Sequence, residues 1–115
     1  MAEPAPRLPR LDADPFDALG DANRRAVLEL VAAGGRSVQN IADELPISRP
    51  AVSRHLRILR DAGFVTDRPD GTRRIYSLAD EGPTAIRAYL ADMWGDAISR
   101  FALVAENTRP PSGER

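Results

Sequence analysis

The sequence predicts a mainly helical domain with one small β-hairpin, in the order α-α-α-α-β-β-α. Three observations predict it. Apolar residues recur at helical spacing in four separate stretches before residue 63 and again after residue 82, and the period turns to alternation only between them. Side chains suited to helix N-caps stand at the start of several of these stretches. The ten prolines fall in the chain ends (positions 4, 6, 9, 110 and 111) or at element edges (15, 46, 50, 69 and 83), never inside a periodic run.

In chain order, Asp14-Pro15 is an N-cap followed by proline at the first helical position, and opens a short helix ending near Gly20. Asp21 starts a second helix whose buried stripe is Ala26, Val27, Leu30 and Val31, and Gly34-Gly35 stop it. Ser37 caps a third, with Val38, Ile41, Ala42 and Leu45 at helical spacing. Pro46-Ile47 makes a tight connection, and proline pushes Leu45 toward an extended backbone. Ser48 caps a fourth helix that tolerates Pro50 in its first turn and stops at Ala62-Gly63. Two short helices joined by so short a turn form a helix-turn-helix unit. Phe64–Arg68 and Thr72–Leu78 then read as strands, with Arg68-Pro69-Asp70-Gly71 as their turn. Gly82-Pro83 opens a last helix expected to run about 22 residues, roughly 33 Å, with Gly95 inside it. The whole is a winged helix with one extra helix on each flank. Residues 14–105 form the expected domain, with tails at 1–13 and 106–115.

Composition narrows the function. The 115 residues suffice for one domain, and at that size oligomerisation is a common way to bury more surface. The absence of cysteine removes disulfides, thiolate metal sites and cysteine nucleophiles, and suits a reducing compartment. The N-terminal stretch lacks the apolar core of a signal peptide, and no run is long enough to span a membrane, so a cytoplasmic protein with no membrane partner is expected. A single histidine, with no phosphate-cradling glycine loop, leaves no set of catalytic groups, and an enzyme is not expected.

The net charge of −1 is unevenly spread. Residues 48–76 carry seven arginines (49, 54, 57, 60, 68, 73 and 74) against three aspartates (61, 67 and 70), so this segment is +4 and the remainder −5. On a helical wheel Val52, Leu56 and Leu59 of the fourth helix share one side. Ser53, Arg54 and Arg57 lie opposite, with Arg49 near the N-terminal end. A helix that reads DNA needs this division: a buried stripe, and small or cationic side chains toward the groove. Arginine pairs bidentately with guanine, while hydroxyls suit phosphate oxygens. The candidate DNA-binding residues are therefore Ser48, Arg49, Pro50, Ala51, Ser53, Arg54, His55 and Arg57, joined by Arg73, Arg74 and Tyr76 of the hairpin. His55 lies at the edge of the apolar stripe, where packing, capping and phosphate contact all stay open. Tyr76 is open between a phosphate contact and a cover for the hairpin root.

The run from Ser48 to Val65 (SRPAVSRHLRILRDAGFV) closely resembles the recognition helix of the ArsR-type bacterial regulators. Asp21-Ala22-Asn23-Arg24-Arg25 and Gly71-Thr72-Arg73-Arg74-Ile75-Tyr76 resemble that family's second-helix start and wing. The resemblance covers residues 14–104. It implies a homodimer, joined through the first and last helices, that binds an inverted repeat in double-stranded DNA, usually as a repressor. Many members sense metals through a Cys-Val-Cys motif, matched here by Ser37, Val38 and Gln39. The last helix offers Asp92, Asp96 and Glu106 but no histidine, so no metal or other cofactor is expected, and an inducer is left unknown.

The last helix is apolar over a wide arc, which argues for a second copy against it. The expected dimer surface is Phe16, Leu19, Ile86, Tyr89, Leu90, Met93, Trp94, Ala97, Ile98 and Phe101, with Val104 on the same spacing. The competing function is a winged helix used only for protein contacts, its basic helix facing an acidic partner.

Overall fold

The structure, a computed structural model, describes residues 11–95. Its elements are α1 (Pro15–Ala18), α2 (Ala22–Ala32), α3 (Val38–Glu44), α4 (Arg49–Asp61), β1 (Val65–Asp70), β2 (Arg73–Leu78) and α5 (Glu81–Trp94). Side-chain caps start the first four helices as the sequence predicts. Asp14 accepts from the Phe16 amide, Asp21 from Arg24, Ser37 from Asn40 and Ser48 from Ala51. At α3 the Asn40 side chain also accepts from the Ser37 amide, closing a reciprocal capping box. Leu45 is extended (φ −120°, ψ 148°), as the following proline requires.

The core lies where α2, α3 and α4 meet. Val27, Ile41, Val52, Leu56 and Leu59 are completely buried there, and Val31, Phe64 and Val65 nearly so. Burying each such aliphatic side chain contributes about 1.5–3 kcal/mol. The expected stripes are therefore the packed ones, although Ala26 and Leu30 are only half-buried.

The hairpin differs from expectation at its turn. Both strands run to the tip: Val65 pairs with Leu78 and Asp70 with Arg73, leaving a two-residue loop, Gly71-Thr72. Pro69 therefore sits inside β1 opposite Arg74 rather than in the turn, which a two-stranded ribbon allows because each strand keeps one unpaired edge. Gly71 supplies the left-handed φ of +67° that a tight hairpin loop needs. A single-residue bridge extends the sheet sideways. Arg36 and Tyr76 exchange backbone hydrogen bonds of 3.1 and 2.8 Å, which fastens β2 to the residue just before the α3 cap.

The end of α5 is a second correction. The helix spans 14 residues and stops at Trp94, and Gly95, with φ +41°, terminates it rather than lying mid-helix. Ala97, Ile98, Phe101 and Val104 lie outside the described residues, as do Asp96, Glu106, residues 1–10 of the expected tail at 1–13 and all of the expected tail at 106–115. The start of α5 is held by glycine. Gly82 donates to the Gly63 carbonyl at 2.8 Å, and a Cβ on Gly82 would stand 2.7 Å from the Ala62 carbonyl oxygen and 3.0 Å from the Phe64 ring.

Candidate nucleic-acid interface

Helix α4 presents the division that its sequence predicts. Val52, Leu56 and Leu59 point into the core, while Ser48, Arg49, Pro50, Ser53, Arg54 and Arg57 are exposed and Ala51 is half-buried. Small side chains at 51 and 53 leave the backbone of this face approachable. The Ser48 hydroxyl accepts from the Ala51 amide at 3.2 Å, so its own proton is left to donate.

His55 does not belong to that face. It is only 6% exposed, with Nδ1 3.3 Å from Nη1 of Arg24. Guanidinium is always a donor, so Nδ1 is the acceptor and the ring is neutral in this arrangement. Burial pushes the imidazole pKa below its ordinary 6.5. Asp21 opposes this, whereas Arg24 and Arg54 add to it. Of the readings left open for His55, packing is the one this geometry satisfies. Arg24 also donates from Nε to the Ala18 carbonyl at 2.8 Å, and Arg25 reaches the Leu19 carbonyl at 2.6 Å. The two arginines that open α2 thus clasp the end of α1 and the flank of α4.

The wing carries its charge differently from a free cationic tip. Arg73 pairs with Asp70 at 3.4 Å, and Arg74 donates from Nε to Asp67. That hydrogen bond holds Arg74 still more firmly in its charged form. Asp67 also faces Arg60 of α4, at 3.9 Å, and Arg60 lies 3.9 Å from Asp61. The three aspartates of the basic segment are thereby matched to Arg60, Arg73 and Arg74. Among the described residues Arg49, Arg54, Arg57 and Arg68 make no ion pair. The segment's surplus of four positive charges sits on these four residues, three of them on α4.

Between the wing and the N-terminal ends of α3 and α4 runs a cleft of about 220 Å³, lined by Ser37, Val38, Gln39, Arg49, Thr72, Arg73, Arg74 and Tyr76. Tyr76 is half-buried at the root, beside its bridge to Arg36. Nothing in the sequence pattern singles out Arg36, whose guanidinium bonds the Leu30 carbonyl and Glu44. A strand one residue long has no periodicity to detect.

The positions that match a cysteine metal motif are otherwise engaged: Ser37 caps α3, and Gln39 donates to Asp43 at 2.7 Å. Among the described residues no three His, Cys, Asp or Glu side chains converge as metal ligands.

On the opposite side, α1 lies against α5, with the Phe16 and Tyr89 rings edge to face at 5.1 Å. Phe16, Leu90, Met93 and Trp94 are exposed, and Leu19, Ile86 and Tyr89 are half-buried. An apolar groove of about 390 Å³ runs beside them, lined by Leu19, Leu28, Phe64, Leu78, Ala79, Pro83, Ile86, Arg87 and Leu90. Exposed aromatic and aliphatic groups gathered this way are unusual on a lone soluble domain.

Residues 19–68 match the family model described as a helix-turn-helix domain. The HTH-type transcriptional regulator Rv2034 of Mycobacterium tuberculosis is 44% identical over 92 residues, covering 80% of this chain and 86% of that protein. The chain belongs to the ArsR-type family of transcriptional regulators. This ArsR-type chain is also 38% identical over 63 residues to the transcriptional repressor SdpR of Bacillus subtilis, covering 55% of the one and 70% of the other. Among solved structures it is similar to Mb0332 of Mycobacterium bovis, described as the homodimeric winged helix-turn-helix DNA-binding domain of a possible ArsR-family regulator. That likeness has a TM-score of 0.56 and 28% identity, and covers 70% of this chain and 77% of that one. The expected winged helix-turn-helix fold is the observed one.

Proposed function

We propose that this ArsR-type regulator binds double-stranded DNA as a homodimer and represses transcription by occupying an inverted-repeat operator. One observation carries the reading: three of the four arginines that make no ion pair in the +4 segment 48–76 lie on the outward face of α4, whose opposite face is fully buried. Arg54 and Arg57 are assigned to base edges, where a bidentate arginine–guanine pair contributes about 1–3 kcal/mol of discrimination. Ser48, Arg49, Pro50, Ala51 and Ser53 form the N-terminal approach to the groove, and Arg73 and Tyr76 border the cleft where a flanking phosphate fits. His55, buried, and Arg74, engaged by Asp67, are assigned no contact.

Dimerisation is assigned to α1 and α5 within residues 14–105. The exposed Phe16, Leu90, Met93 and Trp94 support this, as does the homodimeric state of the Mycobacterium bovis relative. A two-fold dimer sets its two reading helices about 34 Å apart or a multiple of that, matching half-sites on one face of a duplex. The name of the SdpR relative supports repression, and occlusion of polymerase would need no catalytic group. Among the described residues no helix is long and apolar enough to cross a membrane. A cytoplasmic, non-enzymatic regulator without a resident cofactor is the reading these features favour, with any inducer unassigned.

The test is footprinting of the purified protein across genomic DNA. Recovery of an inverted repeat, with affinity falling steeply as salt rises, is the expected result. Absence of any protected DNA site would favour the rival reading, a module that meets only an acidic protein.

A further inference from the structure

The carboxylate of Asp67 occupies an unusual place for an acid in a basic surface. Its side chain is only 11% exposed, although it lies on a two-stranded wing, and it faces two arginines from different elements. Arg74 approaches from the neighbouring strand, one diagonal step from Tyr76, the direct partner of Asp67. Arg60 approaches from the last turn of α4. The other wing pair, Arg73–Asp70, is longer and half-exposed on both sides. Exposed pairs of that kind open readily to solvent, whereas the largely buried Asp67 carboxylate holds Arg74 by a direct hydrogen bond, with Arg60 3.9 Å away.

We propose that Asp67 is a positioning residue that limits sequence-independent affinity, by withholding Arg74 from DNA phosphates and facing the wing toward Arg60 of the reading helix. Phosphate contacts strengthen binding to every sequence alike, so each arginine set free on this surface raises affinity for non-operator DNA as much as for the operator. The paired acid leaves discrimination to the unpaired arginines of α4. The inference rests on the DNA-binding reading above and adds a residue that holds down affinity for every duplex without reading its sequence.

The experiment measures binding of the full chain to an operator duplex and to a scrambled duplex over a range of salt, together with thermal stability. Asp67→Asn keeps the shape and removes the charge. It is expected to steepen the log–log salt dependence by about 0.9 for the arginine released, and to tighten operator and scrambled binding by the same factor. The operator-to-scrambled ratio stays unchanged. Arg74→Gln alone leaves the salt slope unchanged, because that charge is already withheld, whereas Arg74→Gln in the Asp67→Asn background makes the slope shallower again. Asp70→Asn, which releases a pair already open to solvent, has the smaller effect.

An unchanged slope in Asp67→Asn overturns the proposal, as does a parallel fall of both affinities together with melting temperature, which is what a mere strut would show. A shallower slope in Arg74→Gln alone overturns it without reliance on Asp67→Asn being folded. Failure of the unmodified protein to bind any duplex in a salt-dependent way is a separate result: it removes the DNA-binding reading itself, and this inference with it.

Discussion

Substituting Gly82 by alanine tests how the start of α5 is seated against Ala62 and Phe64. Gly82 lies in the first turn of α5 with a φ outside the left-handed region, so alanine meets no backbone strain there, and the cost is purely steric. The new methyl would stand 2.7 Å from the Ala62 carbonyl oxygen and 3.0 Å from two carbons of the Phe64 ring. Ala62 and Phe64 are both buried, so neither has free space to retreat into. Overpacking of this kind costs about 1–3 kcal/mol. Alanine returns up to about 1 kcal/mol through its smaller backbone entropy loss. A net loss of about 1–2 kcal/mol corresponds to a melting temperature roughly 5–15 °C lower for a domain of this size. The assay is thermal unfolding by circular dichroism at one fixed protein concentration, since the proposed dimerisation would make the midpoint concentration-dependent. Gly71→Ala is the comparison: its Cβ would meet nothing within 4 Å, and only the positive φ is penalised. A Gly82→Ala midpoint within a degree of the unmodified protein, or above it, would refute the close-approach argument.

Arg54→Ala and Arg57→Ala, each removing an exposed and unpaired charge, are expected to weaken operator binding about five- to 150-fold, as loss of a contact worth 1–3 kcal/mol implies. Electrophoretic mobility shift reads the affinity, and the melting temperature should stay within a few degrees. The lowered pKa of His55 means that the unfolded chain takes up the proton more readily than the folded one. Stability is therefore full above pH 6.5 and lost as pH falls from there through the lowered folded value. Denaturant titrations at pH 7.5 and 5.5 should show that loss in the unmodified protein and a smaller one in His55→Asn, whose amide oxygen still accepts from Arg24. Met93→Glu, placing a charge on the exposed apolar side of α5, should shift the dimer toward monomer by at least tenfold in dissociation constant, measured by sedimentation, with the fold of the monomer retained.

The reading helix was legible because three independent signals coincide on it: the Ser48 cap, a proline confined to the first turn, and a stripe at positions 52, 56 and 59. Neither the wing's register nor its charge state was so accessible. Pro69-Asp70-Gly71 satisfies the composition of a four-residue turn, yet proline is also tolerated on the free edge of a ribbon, and only the backbone conformation at Gly71 decides between them. Once the tip moves toward Gly71-Thr72, Asp67 becomes the diagonal neighbour of Arg74, and a free cationic tip becomes an ion-paired one. His55 lies at the margin of the wheel, where the outcome depends on what α2 places opposite it; that is Arg24, thirty-one residues away. The role of Gly82 is likewise a tertiary one, because nothing near it in the chain reveals the Ala62 carbonyl against which it lies.

The bridge between Arg36 and Tyr76 makes the wing a lever with its fulcrum at the base of α3. The loop lies four to five residues beyond that fulcrum, an arm of roughly 14 Å at 3.3 Å per residue. A tilt of only about 5° at the base displaces the far end by about 1 Å, which is enough to stretch a hydrogen bond beyond its useful range. Whatever disturbs the packing of α3 is thus magnified at the hairpin loop, and a large rearrangement is not required to displace it.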